Sequence, residues 1–143
     1  MNSSAHNATD ITSALEKGRD IVARLNPQLE GQLAEKYDDL VPDFAESLVE
    51  WAYGRHYARP ALDLKTRQLC TISALTVLGG QTSPQLKINI HHTLSAGAAR
   101  SEVIEAIWQM AVYGGLPAAI NGLNAAREVF DELDARQGQD PVK

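Results

Sequence analysis

Apolar residues three and four positions apart, interrupted at short intervals by proline or paired glycine, run through nearly the whole chain. That spacing is what a stack of amphipathic helices requires. Alternation of β-branched residues with a period of two is missing almost everywhere, so strands have no support. Ile11, Leu15, Gly18, Val22 and Leu25 mark a first helix, stopped by Asn26-Pro27. Leu29, Leu33, Tyr37 and Leu40 mark a second that ends before Pro42. Pro42 suits the first turn of a third helix carrying Phe44, Leu48, Trp51 and Ala52. Arg55 to Pro60 reads as a loop, and Asp63 stands where it would cap the next helix.

The helix predicted from Lys65 to Leu78 differs from the others. Leu69, Cys70, Ile72, Ala74, Leu75, Val77 and Leu78 point in nearly every direction, so it is expected to be buried all round. Gly79-Gly80 stops it. Pro84 opens a further helix with Leu86, Ile90 and Leu94 on one stripe, closed by Gly97. Ser101 is expected to cap the next, which carries Val103, Ile104, Ile107, Trp108 and Ala111 and breaks at Gly114-Gly115. Pro117 starts the last helix, through Leu123, Ala126, Phe130 and Leu133. The reading is an all-α bundle: a loose Ser/Asn-rich leader over residues 1–10, one helical domain over 11–134 and a polar tail over 135–143. The helix from Pro84, flanked by two strongly apolar helices, has a face available for a subunit partner.

Composition narrows the function classes. In 143 residues, 13 Lys and Arg stand against 18 Asp and Glu, a formal charge of −5, with no clustered basic patch, so no nucleic-acid partner is expected. The one cysteine, Cys70, excludes an internal disulfide, CxxC redox chemistry and multi-cysteine zinc sites. The N-terminus lacks the basic and apolar regions of a signal peptide, and no apolar run is long enough to span a membrane. A soluble, cytoplasmic protein is the expectation.

Polar groups in apolar surroundings carry the functional signal. On the helix from Pro84, Gln85, Asn89 and His92 share one face, while Lys87, His91 and Ser95 share another. His91 and His92 point about 100° apart, so they do not form the i, i+4 pair that would hold one metal, and no metal is expected. One reading leaves one histidine solvated and the other hydrogen-bonded at a helix interface. The other makes His92, or second His91, an acid/base or anion-binding group, since imidazole changes charge near neutral pH. His56 reads as a surface group. Cys70 reads as a buried, inert thiol or a pocket wall. Gln68 lines a cavity or caps the apolar run, the Trp51 and Trp108 rings are expected to pack, and the Tyr113 hydroxyl reaches either a pocket or the core. Gly114-Gly115-Leu116-Pro117 lacks the strand and the Lys-Ser/Thr of a phosphate loop and reads as a tight helix–helix turn.

The stretches DLKTRQLCTISALTVLG (63–79), LKINIHHTLSAG (86–97), VIEAIWQMAVYGGLPAAING (103–122) and AAREVF (125–130) together resemble the carboxymuconolactone decarboxylase family. Trp51-Ala-Tyr-Gly54 and Arg59-Pro60 resemble its decarboxylase branch. The likeness covers roughly residues 40–132. It implies an alkyl hydroperoxidase D-like helical fold, a homotrimer or homohexamer with pockets between subunits, and a place in the breakdown of aromatic compounds. The family's peroxidase branch uses a CxxC; here Thr82-Ser-Pro-Gln85 stands in its place. The decarboxylase branch keeps a histidine eight residues before the helix-ending glycine, where this chain has Asn89, and often a glutamate where it has Gln68.

The resemblance implies a carbon–carbon lyase that needs no cofactor and acts on a carboxylated unsaturated lactone such as 4-carboxymuconolactone. In that scheme an amide, Asn89 or Gln68, donates to the developing oxyanion, and His92, with His91 second, supplies the proton. Arg67 or Arg59 holds a substrate carboxylate, with Tyr113 and Cys70 as pocket walls. Two alternatives stand beside it: a non-catalytic oligomeric binding or scaffold protein, and a related lactone or enol isomerase or cyclase.

Overall fold

A computed structural model of the chain describes residues 3–139, with side chains from residue 13 onward. All of its regular structure is helical, with no strand among the described residues. The chain groups into two compact units, residues 1–64 and 65–143.

In the first unit α1 (Ser3–Leu25) is followed by α2 (Leu29–Tyr37) and α3 (Phe44–Leu48). Helix α1 already includes most of the stretch expected as a leader, while residues 1 and 2 lie outside the described residues. The stop after Leu25 is local chemistry: the Asn26 side-chain oxygen accepts from the Gln28 backbone N–H at 3.1 Å, turning the chain ahead of α2. Asp38 satisfies a backbone donor of α3, its carboxylate accepting from Ala45 N–H at 3.0 Å, whereas Asp43, directly before α3, sits in the left-handed region at φ 62°.

Helix α3 does not end where the sequence predicts a loop. It passes into a nine-residue π-helical segment, Val49–Tyr57, that takes in Arg55, His56 and Tyr57. The wider winding shows in the bond from Ala58 N–H to the Tyr53 carbonyl at 2.9 Å, five residues back. A π segment leaves no signature in apolar spacing read at 3.6 residues per turn, which is why it escapes a periodicity argument.

Two glycines let this segment lie against α1. A Cβ on Gly18 would stand 2.2 Å from the Val49 carbonyl oxygen, and one on Gly54 would stand 1.9 Å from that of Ala14. Backbone thus meets backbone, with Ala14, Val22, Ala45 and Val49 sealed around the contact. Trp51, expected to pack, is exposed and stands T-shaped to the His56 ring, at 4.8 Å between centroids.

The second unit consists of α4 (Leu64–Val77, whose first residue belongs to the first unit), a short 3₁₀ turn (Gly80–Thr82), α5 (Ser83–Ser95), α6 (Arg100–Gly114) and α7 (Leu116–Gln139). Ile72, Leu86, Ile90, Val103, Ile107, Ala125, Ala126 and Val129 form its core, one stripe from each helix. Fully burying each large aliphatic side chain contributes about 1.5–3 kcal/mol.

The breaks fall where glycine and proline predict. Gly79, Gly97 and Gly115 all have φ above 90°, a region that penalises any Cβ. At the end of α5 the Gly97 N–H donates to the Leu94 carbonyl at 3.0 Å and the Ala98 N–H to that of Thr93 at 3.2 Å, the paired bonds of a Schellman cap. Helix α6 starts at Arg100, two residues before the start that a Ser101 cap would give it. Its cap is not Ser101 but the Glu102 carboxylate, which reaches back to the Ala99 N–H at 2.9 Å and pairs with Lys65 at 3.1 Å.

Helix α4 corrects the expectation of all-round burial. Gln68, Ile72 and Thr76 form one buried stripe at four-residue spacing, while Cys70, Ala74, Val77 and Leu78 are exposed. The stripe meets α6 and α7 where Gly122 makes room: a Cβ there would stand 2.7 Å from Ile107 Cγ2 and 2.9 Å from Thr76 Cγ2.

Glycine position decides the sign of substitution. Gly54→Ala drives a methyl into the Ala14 backbone and is expected to cost about 1–3 kcal/mol. Gly31→Ala, in α2 with nothing within 4 Å, is expected to gain about 0.5–1 kcal/mol. Urea titrations of both variants check this; equal effects would mean that the α1 contact is looser than described.

Candidate functional site

Two polar side chains of the second unit are buried where nothing among the described residues answers them. Gln68 is 0% exposed and His92 1% exposed. Neither end of the Gln68 amide and neither ring nitrogen of His92 has a hydrogen-bond partner among the described residues. Four buried polar atoms without partners are costly, at about 1–3 kcal/mol per group. Other buried polar groups nearby are satisfied: the Thr76 and Thr93 hydroxyls donate to the Ile72 and Asn89 carbonyls at 2.7 and 2.6 Å. Gln68 and His92 therefore stand out from their own surroundings.

Local structure explains how each reaches the interior. Gln68 lies on the buried stripe of α4, one turn after Leu64 and one turn before Ile72. His92 lies in the last turn of α5, beside Thr93, and the whole turn is held by the cap at Gly97. Its polarity is turned inward because the helix covers Leu86, Ile90 and Thr93 as well, wrapping burial around more than one stripe.

The electrostatics follow from burial. Desolvation, and then the charge of His91, push the His92 imidazole down from 6.5 to about 4, so it is neutral near pH 7. His91, half-buried on the adjacent face, is also lowered, first by burial and then by Arg136, against the raising influence of Glu132. Its Nε2 lies 3.9 Å from the Glu132 carboxylate.

The remaining predicted residues fall elsewhere. Asn89 is half-buried, and its amide nitrogen donates to the Gln85 carbonyl at 2.9 Å. One donor of its side chain is thus committed within α5. Lys87, on the His91 side, pairs with Glu128. Arg67 neighbours Gln68 on α4 and is half-buried. Cys70 is exposed, not buried, and lines a groove of about 370 Å³ with Thr66, Leu69, Ser73, Ala106, Gln109 and Met110. Tyr113 is 77% exposed, and Trp108, expected to pack, is 50% exposed. Arg59 is exposed and belongs to the first unit. A second groove of the second unit, about 650 Å³ between α6 and α7, is lined by Arg100, Ile104, Asn124, Arg127, Phe130 and Asp134 among others, and contains neither His92 nor Gln68. Among the described residues no three His, Cys, Asp or Glu side chains gather as a metal site. None of the described helices is long and apolar enough to cross a membrane.

Residues 42–128 match the model of the carboxymuconolactone decarboxylase family. The chain belongs to that family. A 15.0 kDa protein of the nqo9-nqo10 intergenic region in Paracoccus denitrificans, itself uncharacterized, is 38% identical over 120 residues, 84% of this chain and 90% of its own. The 4-carboxymuconolactone decarboxylase of Acinetobacter baylyi is 32% identical over 99 residues, 69% of this chain and 72% of its own. A nitrosuccinic acid decarboxylase of Metarhizium robertsii is 28% identical over 88 residues, 62% of this chain and 60% of its own. Both named relatives are decarboxylases, acting on different acids. The family stretch runs across both units and contains Gln68 and His92.

The pH dependence of stability tests the environment of His92. Above pH 6.5 the imidazole is neutral in folded and unfolded chains alike, and the folded state has its full stability. As pH falls from 6.5 to about 4, the unfolded chain takes up a proton that the folded site refuses. About 3 kcal/mol is lost over that window, with no further loss from this group below it. His92→Leu is expected to remove this component and to raise stability at pH 7 by about 1 kcal/mol. Unfolding free energies at pH 7 and 4.5 decide it; a His92→Leu variant less stable at pH 7 with an unchanged pH slope would mean that the ring is already satisfied.

Proposed function

We propose that this chain is a decarboxylase that removes a carboxylate from a small unsaturated lactone acid, with His92 and Gln68 as the groups that meet the reacting part of the substrate. The observation that carries the reading is the pair of buried, unpartnered, neutral side chains inside a family whose named relatives are decarboxylases. Natural cores pair their buried polar groups, and exceptions concentrate where a ligand supplies the missing partner.

The chemistry asks little more of the protein. When a carboxylate leaves the γ-carbon of a butenolide, the bonding electrons pass through the conjugated double bond into the lactone carbonyl, giving a dienolate and carbon dioxide. The substrate is its own electron sink. The site has to withhold water from the carboxylate, donate a hydrogen bond to the developing oxyanion and return one proton to a carbon of the dienolate. The Gln68 amide can donate but holds no transferable proton; an imidazole can carry and release one. Asn89, in the place of the family histidine, cannot supply it. Both groups are closed to solvent in the single chain, so substrate reaches them only when the packing around α5 opens.

Self-association belongs to the same proposal. Ile104, Trp108 and Val112 on α6 and Leu116 and Ile120 on α7 continue one four-residue spacing and are each at least 40% exposed. Ile104, Trp108 and Val112 share one face of α6, exposed apolar surface is costly in water, and other copies of the chain are the occupants proposed for it.

Turnover of a γ-carboxylated butenolide, followed by release of carbon dioxide, tests the reading. The expected result is activity in the intact protein, a loss of at least about 100-fold in His92→Ala, and a smaller loss in Gln68→Leu. Equal rates in wild type and His92→Ala would remove His92 from the reaction. Trp108→Glu is expected to shift the sedimentation coefficient toward a single chain; an unchanged value would place the self-contact on another face.

A further inference from the structure

We propose that the buried site takes up its carboxylate ligand together with one proton from solvent, and that this proton lodges on His92. The inference rests on the decarboxylase reading above and adds to it how the proton needed for the reaction enters.

The reasoning starts from what surrounds the ring. His92 is 1% exposed, with both nitrogens unanswered, and the second unanswered side chain, Gln68, is a neutral amide. A carboxylate brought against a neutral imidazole in a dry interior loses its hydration and gains at most a neutral hydrogen bond from the ring, which does not offset the cost of burying a charge. Protonating the imidazole converts the same arrangement into a charge-assisted hydrogen bond.

The charged groups on the surrounding helices do not remove that need. On α5, Lys87 is paired with Glu128, and His91 lies beside Glu132. On α7, Arg136 acts on His91, Asp134 binds Arg100 at 2.7 Å, and Arg127 and Asp131 line the separate groove against α6. On α6, Glu102 is held by Lys65, and Glu105 is exposed. On α4, Arg67 has interactions of its own.

Without a ligand, burial holds the imidazole neutral down to about pH 4. A bound anion favours the charged form and raises its affinity for the proton, and by linkage the proton raises the affinity for the anion. The balance closes with the chemistry. Loss of carbon dioxide from a carboxylate and formation of one new carbon–hydrogen bond consume one proton, which is the proton loaded at binding. His92 returns to its neutral form as the product forms.

Titration calorimetry with the full chain tests this, using 5-oxotetrahydrofuran-2-carboxylate as probe. It is a saturated lactone acid that lacks the double bond needed to accept the electrons and so binds without reacting. Runs at pH 6 in buffers of different ionisation enthalpy give the number of protons exchanged. The expected result is uptake approaching one proton per ligand, with affinity falling up to tenfold per pH unit as pH rises beyond the pKa of the complex. His92→Gln keeps hydrogen-bonding capacity without titrating and is expected to bind with no uptake, while His91→Gln keeps it. Binding by wild type with no proton uptake would overturn the inference and leave the decarboxylase reading standing, with a fixed cation such as Arg67 neutralising the ligand. Uptake retained in His92→Gln would also overturn it. Absence of any binding would overturn both.

Discussion

Burying an imidazole and an amide with no partner is the constraint around which the second unit is built. The aliphatic core of Ile72, Ile90, Ile107 and Val129 supplies the stability that tolerates it. The glycine at 122 lets α7 approach Thr76 of α4 and Ile107 of α6 closely, at the far end of the stripe that carries Gln68. The cap at Gly97 fixes the turn that turns His92 inward. Each feature serves the core as packing, and together they keep two polar side chains in a place where water would otherwise satisfy them.

In the proposed reaction, the neutrality of His92 and Gln68 sets the chemistry. A buried carboxylate would repel an anionic substrate, and a buried permanent cation would hold the product acid as firmly as the substrate. An imidazole that is neutral when empty and able to become charged when an anion arrives avoids both difficulties. Among the described residues, His92 is the one titratable side chain in the group of buried polar residues Gln68, Thr76, His92 and Thr93. Asn89 spends a donor on its own helix, which separates it from the pair despite lying on the same predicted face.

Much of the fold was legible because glycine and proline punctuate it. The stops at Asn26-Pro27, Gly79-Gly80, Gly97 and Gly114-Gly115 are all present, and each has a local cause in backbone conformation that sequence carries directly. What spacing could not reveal is which surface covers an apolar helix. Helix α4 and the two tryptophans look like core by composition, yet Cys70, Val77, Leu78, Trp51 and Trp108 are exposed in the single chain. The π segment was hidden because its winding departs from the period by which helices are recognised, and the close backbone contact at Gly18 and Gly54 depends on partners far apart in sequence. At the site, the His92 and Gln68 positions were visible as polar residues in apolar company, but their lack of partners is a property of packing alone.

Nuclear magnetic resonance of the side chains tests the central claim most directly, because it asks where a lactone acid goes without asking how fast anything reacts. With the ring nitrogens of histidine and the amide groups of glutamine and asparagine labelled, saturation with 5-oxotetrahydrofuran-2-carboxylate is predicted to shift the His92 ring and the Gln68 amide, leaving the signal of Asn124, in the groove between α6 and α7, in place. Movement of Asn124 with His92 and Gln68 unchanged would contradict the account and put the ligand on the surface groove instead.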